Sequence, residues 1–126
     1  MKRILLLLLL CSTTLLMAQQ TDPIQEAMAS YDYETALSLI AQKKPATPLL
    51  LQKGKALRSL GLNAEALSTY QEIIGKDSTN TRALIEAAEC CRTLAKYKQA
   101  SAYYEKVLDL TPENKYVRIQ LSLIHI

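Results

Sequence analysis

Apolar residues recur at helical spacing along most of the chain. Leu84, Ala87, Ala88 and Cys91 fall at i, i+3, i+4 and i+7, one face of a helix. Ala95-Lys96-Tyr97-Lys98 reads as a turn. Gln99 to Leu110 then carries a second stripe of Ala100, Tyr103, Tyr104, Val107 and Leu108. A weaker copy of both stripes lies upstream. Leu50, Leu51, Gly54 and Leu57 predict a helix opened by Thr47-Pro48. Ala66, Leu67, Tyr70, Ile73 and Ile74 predict another from Ala64 to about Gly75. Gly61-Leu62-Asn63 joins them as a tight turn, with Gly61 suited to a left-handed C-cap. Ala66 and Ala100 are 34 residues apart, as are Tyr70 and Tyr104, so residues 47–80 and 81–114 are two copies of one unit.

The flanks carry partial copies. Asp22-Pro23-Ile24-Gln25 has a capping Asp and a first-turn Pro. Ile24, Ala27 and Met28 give a short stripe, and Tyr31-Asp32-Tyr33 breaks it. Glu34 to about Gln42 follows with Ala36, Leu37 and Ile40 on one face, ended ahead of Pro45. Ala36 stands 30 residues before Ala66, which predicts that residues 19–46 form a shortened helix pair with residues lost from its linker. Thr111-Pro112 predicts a further helix start, leading through Val117 and Leu121 into a truncated repeat over residues 115–126.

The first eighteen residues read as an export signal. Met1-Lys2-Arg3 is basic, Ile4 to Leu10 is unbroken apolar sequence, and Ala18 offers a small residue for cleavage. The run is short for a membrane span, and nothing later resembles one. A retained anchor helix is the alternative. So is a lipoprotein attached through Cys11, although Leu10 is larger than such signals accept before the Cys. Export places the protein in the periplasm or outside the cell.

Composition narrows the chemistry. With 126 residues, no Trp, no Phe, three Gly and four Pro, the chain fits one small helical domain. Cleavage would leave 13 basic against 12 acidic residues, too even to argue for nucleic acid. Cys90 and Cys91 are adjacent, poorly placed to bridge each other, and match no zinc spacing. They suit a packed helix interface, with an intermolecular disulfide through Cys90 left open. The single histidine, His125, provides no Ser-His or Cys-His arrangement, and there is no phosphate loop or metal motif. Glu86 and Glu89 share a helix and read as a solvated face. No catalysis and no cofactor are expected.

The pattern Leu84-x-x-Ala87-Ala88-x-x-Cys91, then Ala100-x-x-x-Tyr104 and Pro112, resembles a tetratricopeptide repeat. The copy at 47–80 matches through Leu50, Gly54, Leu57, Ala66 and Tyr70. It departs at Lys53, where a large apolar residue is usual, and at Ser78, where Pro is usual. The resemblance implies an all-α fold of antiparallel helix pairs stacked as a right-handed superhelix, an α-solenoid. It implies packing roles for Gly54, Ala66, Ala88 and Ala100 at close helix approaches, for Tyr70 and Tyr104 between successive pairs, and for Pro112. It also implies a concave groove that takes a protein or peptide. Leu51, Lys55, Arg58, Arg82, Ile85, Glu89 and Arg92 would line it. Four cations against one acid suggest an acidic or C-terminal segment as ligand, with Lys55 and Arg92 the cations to reverse. Leu51 and Lys55 stand where the carboxylate-clamp version of the family has Lys and Asn.

The resulting expectation is an exported, non-catalytic interaction scaffold. The alternative is the N-terminal sensor part of a larger membrane signalling protein such as a histidine kinase. One further expectation concerns Leu121 to Ile126. That hexapeptide is a translation of the transposon mosaic end used in tagmentation libraries, so native sequence is expected to stop near Gln120.

Overall fold

The computed structural model describes residues 2–5 and 21–125. The expected cleavage point after Ala18, and Cys11, lie outside them. Residues 2–5 form one helical turn. Seven helices follow: α1 (Pro23–Ala29), α2 (Tyr33–Ala41), α3 (Thr47–Ser59), α4 (Asn63–Lys76), α5 (Thr81–Thr93), α6 (Tyr97–Leu110) and α7 (Lys115–Ile124). Among the described residues every regular element is a helix, and none is long and apolar enough to cross a membrane.

Each helix packs chiefly on its neighbours in sequence, α1 on α2, α2 on α3, and so on to α6 on α7. Paired helices cannot cover their own apolar faces, so the stack is held by burial between units. One core runs from Leu50 through Tyr70, Leu84 and Tyr104 to Val117. Ile24, Ala27, Ala36 and Ile40 are also buried but lie outside it, as a satellite core in the first pair.

The three hairpin turns share one geometry. Tyr31, Gly61 and Ala95 each take positive φ, at 61°, 78° and 58°. In each turn the following N–H bonds a carbonyl five residues back: Asp32 to Ala27, Leu62 to Leu57 and Lys96 to Cys91. This closes the helix end and reverses the chain. Only the middle turn uses glycine for a conformation that side chains disfavour.

Several boundaries differ from the sequence reading. α6 begins at Tyr97, so the turn before it is shorter than Ala95–Lys98. α3 has Ala46 at its cap with no side-chain bond, and Thr47 and Pro48 lie inside its first turn. Pro112 does not start a helix. It is exposed in the turn after α6, so it has no packing role, and α7 starts at Lys115. The cap there is Asn114, whose side chain accepts from Val117 N–H, just as Asn80 accepts from Ala83 N–H at α5. The shortening of the first pair is not in a linker. The α2–α3 connection has five residues and the α4–α5 connection four. The loss is from helix itself: α2 has 9 residues and α4 has 14.

Candidate functional site

Small residues let the helices of a pair approach closely. Ala66, Ala88 and Ala100 are fully buried. A Cβ on Gly54 would meet Tyr70 Cζ, with Cε1 at 2.6 Å and the hydroxyl oxygen at 2.8 Å. Tyr70 therefore lies on the backbone of its own pair's first helix; it does not only fill the space between pairs. Tyr104 likewise reaches into its own pair, where its hydroxyl donates to Glu89 Oε1 at 2.6 Å.

The residues expected in the groove divide into three groups. Lys55 and Arg82 are exposed, and neither forms an ion pair among the described residues. They border two adjoining clefts along the first helices of successive pairs. One cleft adds Arg58, Ser59, Glu86 and Tyr70; the other adds Gln25, Met28, Pro48 and Leu51. The apolar floor of the second cleft is open because α1 has only 7 residues and leaves the start of α3 uncovered.

Arg58 lies in the first cleft but is neutralised. Its guanidinium pairs with Glu86 across the α3–α5 interface. Burial disfavours the charged guanidinium, and the Glu86 carboxylate more than offsets this, raising the Arg58 pKa. Glu86 also stands one turn from Arg82 and was not among the expected groove residues.

Glu89, Ile85 and Arg92 do not join the clefts. Ile85 is half-buried against the core. Glu89 is 6% exposed, which corrects both its placement in the groove and the reading of its helix face as solvated. Its carboxylate receives Tyr104 and Tyr116 hydroxyls on Oε1, both at 2.6 Å, and Arg92 on Oε2 at 2.6 Å. Burial opposes ionisation of Glu89, but these three donors outweigh it and hold the carboxyl below its ordinary range. Arg92 is thereby engaged and sits beside Tyr97 near α7. The balance of four cations to one acid becomes, with Glu86 counted, two paired and two unpaired cations.

Cys90 and Cys91 are fully buried free thiols. Burial pushes the Cys90 thiol up to about 11. That favours the interface role and argues against a disulfide to a second molecule, which needs an accessible thiolate. No group of three or more metal-ligating side chains occurs among the described residues.

Comparison with known proteins places this geometry. A family model described as tetratricopeptide repeat matches residues 81–114. The fold is similar to PcrH from Pseudomonas aeruginosa, with a TM-score of 0.74 and 18% identity over 82% of this chain and 86% of that one. It is similar to the first TPR of Spaghetti (RPAP3), solved with the HSP90 peptide SRMEEVD, with a TM-score of 0.73 and 23% identity over 81% and 84%. It is also similar to the Yersinia enterocolitica type III secretion chaperone SycD, solved with a peptide of the translocator YopD, with a TM-score of 0.74 and 18% identity over 81% and 86%. The chain thus carries a tetratricopeptide repeat at 81–114 and folds as a tetratricopeptide-repeat solenoid.

Proposed function

We propose that this protein is a peptide-binding scaffold whose concave face takes an extended acidic segment. The observation that carries the reading is the pair of unpaired cations, Lys55 and Arg82, shared by two adjoining clefts over Met28, Pro48 and Leu51. A ligand carboxylate between the two cations would gain charge-assisted hydrogen bonds, and an apolar side chain beside it would cover the exposed floor. Arg58 and Glu86 already satisfy each other and would fix the wall of the site. Peptides bound to Spaghetti and SycD, which share the fold, support this use of it.

The test is fluorescence anisotropy with acidic, neutral and basic labelled peptides of equal length. The acidic peptide should bind most tightly and weaken as salt rises. Lys55→Glu with Arg82→Glu should weaken it by at least tenfold, about 1.4 kcal/mol or more. Equal binding of all three peptides, or no loss in the double variant, would overturn the reading.

Export is part of the proposal and rests on the basic start, the apolar run and Ala18. N-terminal sequencing of the protein recovered from its own cell should find Gln19 first. An intact Met1 would remove export by cleavage.

A further inference from the structure

The first pair lacks one turn of helix, and the space left is a second candidate site. α2 and α4 begin in register, since Tyr33 and Asn63 are 30 apart like Ala36 and Ala66. α2 ends at Ala41, whereas α4 continues to Lys76. The turn that α2 lacks carries Ile73 in α4 and Val107 in α6, both fully buried. In the same register Lys43 stands for Ile73 and Lys44 for Ile74, and both are exposed beyond the helix end.

The result is a notch of about 310 Å³ between α2 and the first half of α3. Leu37, Ile40 and Leu50 form its floor, and Lys43, Lys44 and Lys53 stand around it. Lys53 occupies the place that Ala87 fills in the next copy, where the side chain is fully buried. None of the three lysines forms an ion pair, and no acidic residue lines the notch, among the described residues. Lysine stems commonly shelter apolar surface. Three cations with no anion go further, because they set a positive potential at the mouth of an apolar cavity.

We propose that this notch binds a medium-chain fatty carboxylate. Its alkyl tail would take the place of the absent isoleucine or valine, and its head would meet the lysine ammonium groups. The site is separate from the concave clefts, sharing no lining residue with Lys55 or Arg82, so it stands or falls independently of the peptide reading.

The experiment is a titration of the full chain with octanoate, followed in amide ¹H–¹⁵N spectra, with octanol and a peptide ending in leucine as companions. Octanoate should give saturating shifts confined to Leu37–Lys53, and octanol should bind there several-fold more weakly. Lys43→Gln with Lys53→Gln should weaken octanoate roughly fivefold or more while leaving octanol binding as it was. These exposed or half-exposed positions leave the fold intact, and binding of an acidic peptide to the concave face should persist. Shifts scattered over the surface, octanoate binding no better than octanol, or octanoate unaffected by the double substitution would overturn the proposal. Tighter binding of the leucine-ended peptide at the same amides would overturn the choice of a fatty acid.

Discussion

The two full repeats use one scaffold and spend the same position on opposite ends. Lys55 in α3 and Glu89 in α5 are 34 residues apart and equivalent in register. Lys55 is exposed at the concave clefts, whereas Glu89 is buried and fastened to α6 and α7 by two tyrosine hydroxyls. The neighbouring small residue differs in step. Gly54 leaves room for Tyr70 to lie flat on the backbone, while Ala88 accompanies a Tyr104 that is anchored through its hydroxyl. The repeat therefore fixes where a side chain stands but not whether it serves packing or recognition. That is decided by whether the next helix supplies donors to pull it inward.

The largest effect should come from breaking what the two repeats share. Ala100→Arg places a charge in a fully buried close approach and should cost several kcal/mol; Ala66→Arg should match it. A thermal melt near that of the parent for either variant would refute the placement of both. Next in size is the contrast itself. Glu89→Ala strips Tyr104 of its buried acceptor and should cost about 2–4 kcal/mol in urea denaturation, whereas Lys55→Ala should stay within about 0.5 kcal/mol. Equal costs would erase the distinction drawn between them. Gly54→Ala should cost about 1–3 kcal/mol, because the added carbon collides with a tyrosine ring that is 1% exposed and has little room to move.

A pH titration sharpens the same comparison. The Glu89 carboxyl is held below its ordinary value of 4.5, so its contribution is complete above that value. It is lost as pH falls through the lower folded value, since the unfolded chain takes up the proton first. Stability should therefore decline below about pH 4. Glu89→Gln, which has no proton to gain, should flatten that decline. An unchanged acid limb would assign it to other carboxylates. The smallest effect concerns the turns. Ala95→Gly should stabilise by about 0.5–1 kcal/mol through relief of a positive φ, and Gly61→Ala should destabilise by a similar amount.

The core was legible in the sequence because it is written as identity at fixed spacing. Leu84, Ala87, Ala88 and Cys91 announce a buried face by themselves, and Gly61 announces its turn. Glu89 did not, since an acid on a helix ordinarily faces water and its donors lie 15 and 27 residues away. A faint signal existed: Glu89 sits in the middle of a run, Ala87-Ala88 and Cys90-Cys91, that is buried throughout. Arg58 and Glu86, 28 residues apart, were equally hidden, and with them the true charge balance of the clefts. The helix starts were misread where Thr-Pro was favoured over Asn80 and Asn114, although that pair too is 34 apart. The shortened first pair was visible in the spacing from Ala36 to Ala66. Its location was not, until Lys43 was seen where Ile73 stands in the next copy.

Packing of each helix against its chain neighbours has a kinetic consequence. Contacts between residues close in sequence require only short loops to be closed, so the search for them is brief. This chain should fold in well under a second, with no need to wait for its two ends to meet. Any adjoining helices can begin the process, and the natural starting point is α5 with α6, whose shared surface is the most thoroughly covered. The first pair, with its separate small core, would join last on folding and be the first to exchange its amide hydrogens with solvent.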